Sequence, residues 1–183
     1  MSSVINLVQS ERILCVDPGP EFSGVVDFNG VQVTPINAEY DNYELLALIK
    51  RIGPAGNGYI KHLAIENIVH YGPKMHAGET TFDTMFWIGR YCEAIGEGNF
   101  TRVSPRDVRL LVTGNTAATK PATRKGILEC FPAIGGGQTP QIGTKKEPSS
   151  LHGITNHMIR ALGVGLWYHY APRTEPHNTP ESP

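Results

Sequence analysis

The stretch Ile13-Leu14-Cys15-Val16-Asp17-Pro18-Gly19-Pro20-Glu21-Phe22-Ser23-Gly24 decides how the rest of the chain is read. Its apolar run predicts a buried strand, and that strand ends on an acid just before a Pro-Gly-Pro turn. A carboxylate at the end of a buried strand is costly unless a ligand or a reaction uses it. Asp17 is therefore the predicted centre of an active site.

Downstream of Asp17 the strand pattern resumes at Phe22 to Phe28, and Asn29-Gly30 then stands before Val31 to Thr34. Asn-Gly between strand formers predicts a hairpin, giving three antiparallel strands at the start of the chain. Asp41-Asn42-Tyr43-Glu44 reads as a capping box opening a helix that Gly53 stops. His62-Leu63-Ala64-Ile65-Glu66 is a second apolar run ending in an acid. If the strands bearing Asp17 and Glu66 pair in parallel, their acidic ends lie side by side, where open α/β sheets place their sites.

The turn-rich Asn67 to Gly78 exposes His70, Tyr71 and His76. From Thr80 a helix is expected to bury Phe82, Met85, Phe86, Gly89 and Cys92, with Trp87 off that stripe. The aromatics of this helix also read as a candidate dimer surface. A short strand at Thr101 to Val103 leads into helices opened by Ser104-Pro105 and by Lys120-Pro121. Pro132 to Ser150 is rich in glycine, proline and lysine and reads as a mobile loop. A last helix from Thr155 to about Tyr170 carries His157 in its first turn, and its Ala161, Gly163 and Gly165 permit close approach to a sheet. One domain over residues 1–170 is expected, with a disordered proline-rich tail at 171–183.

Composition limits the partners. The 183 residues carry a net charge of −1, with no run near the length of a membrane span and no signal-like amino terminus. A cytoplasmic protein is expected, and the widely spaced Cys15, Cys92 and Cys130 predict neither a disulfide framework nor a zinc site. The small net charge hides a polarity: residues 100–146 hold eight basic residues against two acidic ones. Arg102, Arg106, Arg109, Lys120, Arg124, Lys125, Lys145 and Lys146 can form a phosphate-facing surface, or a merely solvated face.

With these pieces in order, the chain resembles the RNase H-like nucleases, and among them the RuvC-like Holliday junction resolvases, in particular phage-encoded members. The resemblance is carried by Val16-Asp17-Pro18-Gly19 with Ser23-Gly24, Ile65-Glu66-Asn67, Phe86-Trp87-Ile88-Gly89-Arg90 and Ser104-Pro105-Arg106-Asp107-Val108-Arg109. It continues through Val112-Thr113-Gly114, Lys120, Ile142-Gly143-Thr144-Lys145-Lys146, Gly153-Ile154-Thr155-Asn156-His157 and Ala161-Leu162-Gly163-Val164. It implies an α/β, RNase H-like fold: a central mixed five-stranded sheet, its first three strands antiparallel, flanked by helices. It also implies a homodimeric crossover junction endodeoxyribonuclease that cuts four-way or other branched DNA. For a phage-encoded member, the setting is the host cytoplasm and the role is genome processing or recombination.

The resemblance further implies two Mg²⁺ or Mn²⁺ ions, with Asp17, Glu66 and His157 as ligands, Lys120 beside the scissile phosphate, and no nucleotide cofactor. Histidine in the ligand set favours Mn²⁺ over Mg²⁺. Arg106, Arg109, Arg124, Lys125, Lys145 and Lys146 would hold the DNA backbone, and His70 and Tyr71 would stack on an unpaired base. One position departs from the family pattern. Where many members carry a further aspartate one turn along the last helix, this chain has Arg160, and no acid occurs between Glu147 and Glu175. The fourth ligand is then missing, or supplied by Asn156 or Glu21. A junction-binding relative that no longer cuts is the alternative. The Asp-x-Gly-x-x-x-Ser-Gly stretch also resembles the first phosphate loop of sugar-kinase and actin-like ATPases, but those need two such domains and a second loop.

Overall fold

The computed structural model describes residues 11–33, 36–69 and 78–172. His70, Tyr71 and His76, with the ends of the chain, lie outside them. The strands are β1 (Ile13–Asp17), β2 (Phe22–Phe28), β3 (Ala38–Asp41), β4 (His62–Glu66) and β5 (Phe100–Val103). The helices are α1 (Asn42–Ile52), α2 (Glu79–Ile95), α3 (Pro105–Thr113), α4 (Lys120–Glu129) and α5 (Asn156–Tyr170). One five-stranded sheet runs in the order β3-β2-β1-β4-β5, antiparallel from β1 to β3 and parallel from β1 through β4 to β5. This is the expected mixed sheet flanked by helices.

β1 is central, so both of its faces are covered, and that is why it reads as an unbroken apolar run. Its side chains alternate. Ile13 and Cys15 join Val26, Phe28 and Ala64 in a core beneath α3, α4 and α5. Leu14 and Val16 join Val25, Leu63 and Ile65 in a second core beneath α1 and α2. The same alternation turns Asp17 and Glu66 toward the α5 side. The small residues of α5 act as expected: a Cβ on Gly165 would stand 2.5 Å from Cys15 Sγ, so glycine lets the helix lie directly on β1. Among the described residues no helix is long and apolar enough to cross a membrane.

Three expectations need correction. The Asn-Gly turn forms, with Asn29 Oδ1 accepting from Val31 N and Gln32 N, but the ladder beyond it is a single bridge, Phe28 to Val33. The third strand is instead Ala38–Asp41, a polar edge strand pairing Gly24 with Glu39.

The second correction concerns α2. It is rotated from the expected face: Phe82, Met85 and Phe86 are exposed, while Thr84, Trp87, Ile88, Tyr91 and Ile95 are buried. Two neighbouring apolar stripes compete on this helix. The buried one wins because Trp87 stacks on Tyr91 and meets Tyr43 edge-on, and because the Tyr91 hydroxyl reaches the polar groups of Ser23 and Asn42.

The third is the glycine-rich segment after α4, which is not a mobile loop. Gly136 N donates to Glu147 O, Gly143 N to Thr139 O and Ser149 N to Ile142 O, and Leu151 is buried in the core. Lys145 and Lys146 sit exposed at the tip of a turn closed by Thr144 N donating to Glu147 O.

Candidate active site

The parallel register pairs Val16 with Ile65, so the next rung sets Asp17 beside Glu66 at the C-terminal ends of β1 and β4. Asp17 is almost wholly buried, with 2 % of its surface exposed. The turn after it is held by a buried polar network. Ser23 Oγ donates to Asn42 Oδ1 at 2.7 Å, and Asn42 Nδ2 donates to the Gly19 carbonyl at 3.0 Å. The start of α1 thereby fixes the chain direction out of Asp17.

The third element is α5, capped by Thr155, whose hydroxyl accepts from Met158 N and donates to Glu39 Oε1 at 2.5 Å. Gly24 is the β2 partner of Asp17, and a Cβ there would stand 2.6 Å from the His157 backbone. Glycine lets the helix start close down on the sheet. His157 Nδ1 then stands 3.1 Å from Asp17 Oδ2, and Arg160 Nε, one turn on, stands 3.0 Å from the same oxygen. Neither contact has hydrogen-bond geometry, so this buried oxygen lies between an imidazole and a guanidinium without a donor aimed along its lone pairs. Arg160 Nη2 also lies 3.4 Å from His157 Nε2.

A cavity of about 560 Å³ opens beside the carboxylates, bordered by Glu66, Arg109, Lys120, Arg124, Asn156 and Arg160 over an apolar floor of Val108, Ile127 and Ile159. Four cations around one carboxylate suit a phosphodiester. Of the remaining basic residues, Arg106 is exposed on α3, and Lys125 is paired with Glu129 at 3.7 Å on the surface of α4. Asn156 Oδ1 accepts from Arg124 Nε at 3.1 Å, which orients the arginine at the cavity edge.

Burial pushes the Asp17 carboxyl up to about 6, with Arg160 and Lys120 pulling it down and Glu39 pushing it up. Burial, and then the charge of Asp17, push Glu66 up to about 7, against Arg160, Arg109 and Lys120. Glu39, exposed at the sheet edge, is thus a charge felt by Asp17 that the sequence did not disclose, and Glu21 is exposed as well. The raised values fix the sign of a pH effect. Between the unfolded and folded values the folded state binds more protons, so the favourable contribution is complete below about pH 4 and is lost as pH rises through 6 to 7. Metal-free protein is expected to unfold at lower urea concentration at pH 7.5 than at pH 5, by on the order of 3 kcal/mol. Asp17→Asn with Glu66→Gln should flatten that dependence.

The residues fit a divalent cation in one respect: Asp17 Oδ2 is buried without a hydrogen bond, and Glu66 adjoins it. Among the described residues, however, no three of His, Cys, Asp and Glu converge as a metal cage. Asp17 and Glu66 are the pair that could hold an ion, and His157 could join them only by giving up its contact with Arg160.

No family model and no curated protein sequence matches this chain. Solved structures do. A T. thermophilus RuvC in complex with a Holliday junction substrate superposes with a TM-score of 0.58 at 14% identity, covering 85% of this chain and 91% of that one. A second Thermus thermophilus RuvC structure gives 0.55, also at 14% identity, with the same 85% and 91% coverage. The sheet order, the flanking helices and these superpositions together make the fold RuvC-like, within the RNase H-like architecture.

Proposed function

We propose that the protein is a divalent-metal-dependent endodeoxyribonuclease acting on branched DNA, four-way junctions foremost, in recombination or repair. The observation that carries this reading is the buried Asp17 and half-buried Glu66 at adjacent strand ends, with Glu66 on a cavity bordered by Arg109, Lys120, Arg124 and Arg160. A bound Mg²⁺ or Mn²⁺ would supply the activated water and the Lewis acid that phosphodiester hydrolysis needs.

The chain's own groups do the rest. Asp17 and Glu66 hold the cation, and Lys120, at the N-terminus of α4, balances charge on the attacked phosphate. Arg109 and Arg124 bind neighbouring phosphates and fix the strand against the carboxylates, and Arg106, Lys125, Lys145 and Lys146 extend that backbone contact. These contacts orient a junction without reading bases. His70 and Tyr71 remain candidates for stacking at the junction centre.

The deciding experiment offers the protein a labelled four-way junction and a linear duplex of the same sequence, with Mg²⁺ or Mn²⁺. Cleavage of the junction is expected, at least as fast in Mn²⁺ as in Mg²⁺, and absence of cleavage with both ions refutes the catalytic reading. The Arg160–Asp17 contact favours one second reading, a protein that binds junctions without cutting them. Binding with no product, in the same assay, would establish it.

We assign a second copy of the chain to the exposed face of α2. Phe82, Met85 and Phe86 are 62 %, 53 % and 57 % exposed, an apolar patch on one side of a single helix, continued by Tyr43 on α1. A symmetric pair would present two sites to the two strands that a junction offers. Phe82→Glu with Phe86→Glu is expected to give a folded monomer by light scattering where the wild type is a dimer. An unchanged mass would move the interface elsewhere.

A further inference from the structure

We infer that Arg160 is a built-in cation of the active site, standing where a second divalent ion would sit, so that each protomer binds a single divalent ion, held by Asp17 and Glu66. The inference rests on the metal-dependent reading above and changes what that site contains.

Geometry is its first support. The Arg160 Nε lies 3.0 Å from Asp17 Oδ2, the buried carboxylate oxygen that has no hydrogen bond. The same guanidinium reaches His157, with Nη2 3.3 Å from Nδ1 and 3.4 Å from Nε2. The guanidinium thus already fills the space beside both ring nitrogens of the imidazole. One side chain therefore engages both groups that a second ion would need.

Ligand supply is the second support. In its first turns α5 carries Asn156, His157 and Arg160 and no acid, and Asn156 is engaged by Arg124. Among the described residues no cluster of three ligand-type side chains exists. Glu39, the additional acid near Asp17, accepts the Thr155 hydroxyl and so serves the cap of α5.

Charge is the third. Arg109, Lys120, Arg124 and Arg160 already gather round the cavity that Glu66 borders. A second divalent ion within contact distance of the guanidinium meets like-charge repulsion at the buried Asp17 carboxylate. A single ion on the Glu66 side of Asp17 avoids it and leaves Arg160 on the other. The guanidinium borders the cavity, so its remaining N–H groups are available to a phosphate oxygen. In that position arginine supplies fixed positive charge, and activation of water would be left to the ion that Asp17 and Glu66 would hold.

The test counts ions without DNA and without turnover. Metal-free protein is titrated with Mn²⁺, and the loss of the free-ion electron paramagnetic resonance signal gives the stoichiometry. Wild type is expected to take up one Mn²⁺ per protomer. Arg160→Asp, which supplies a carboxylate in place of the cation, is expected to take up two. Arg160→Gln, which keeps the size and removes the charge, should bind the first ion at least ~10-fold more tightly. Circular dichroism and urea unfolding establish that each variant is folded, and the Gln variant carries the test if the Asp variant is not. Two Mn²⁺ in the wild type, or unchanged uptake in both folded variants, overturns the inference while leaving a metal nuclease in place. No uptake by wild type or by either variant overturns the metal-dependent reading itself, and this inference with it.

Discussion

Asp17→Asn is expected to lower junction cleavage at least about 10³-fold while leaving junction affinity, measured without divalent metal, within about twofold of wild type. The two effects separate because they rest on different residues. Affinity for the backbone comes from Arg109, Lys120 and Arg124 round the cavity and from exposed residues such as Arg106 and Lys145. Asp17 is buried, and the basic side chains within 4 Å of it among the described residues are His157 and Arg160. The amide matches the carboxylate in shape, so packing is preserved, but it is a weak ligand for a hard cation. It also removes one of two charges that burial and mutual repulsion oppose. The variant should therefore be more stable than wild type at neutral pH in the absence of metal, the usual relation between a strained active site and stability. Retained cleavage, or cleavage and binding lost together, would remove Asp17 from the centre of the chemistry.

The same residues mark how far the sequence could be read. Asp17 and Glu66 were visible because each ends an apolar run, and a buried strand has no other use for a terminal acid. Glu39 was not visible. Its strand, Ala38-Glu39-Tyr40-Asp41, lies at the sheet edge, so it needs no apolar alternation and looks like a loop. Asn42 and Tyr91 were missed for a related reason. A polar residue at a helix start and a tyrosine within a helix look solvated, and only the fold reveals that they meet Ser23 beneath the Asp17 turn. On α2 the periodicity itself was ambiguous. Two apolar stripes lie side by side, and hydrogen bonding by Tyr91, which periodicity does not encode, selects the buried one. Arg160 stood out in the sequence as a missing acid, but its contact with Asp17 is a fact of three dimensions.

Gly24→Ala tests how the site is assembled, and its effect should be large for one added methyl group. Gly24 pairs with Asp17 across β1 and β2. A Cβ there would lie 2.6 Å from the His157 carbonyl carbon, 2.7 Å from its Cβ and 2.8 Å from its carbonyl oxygen. Two of those atoms are backbone, so no rotamer change relieves the clash and the start of α5 must lift from the sheet. Farther along, Gly165 holds the same helix against Cys15, so the lift tilts the helix rather than sliding it as a whole. His157 and Arg160 both leave Asp17 in that movement. A stability loss of about 1–3 kcal/mol is expected by urea unfolding. Misplacing the α5 groups by about 1 Å should lower junction cleavage by on the order of 10²-fold. Gly89→Ala is the internal control, because a Cβ at that exposed α2 position meets nothing within 4 Å. There alanine should raise the stability of the fold by about 0.5–1 kcal/mol through helix propensity. If Gly24→Ala instead behaves like the Gly89 control, the close seating of α5 on β2 is not what brings His157 and Arg160 to Asp17.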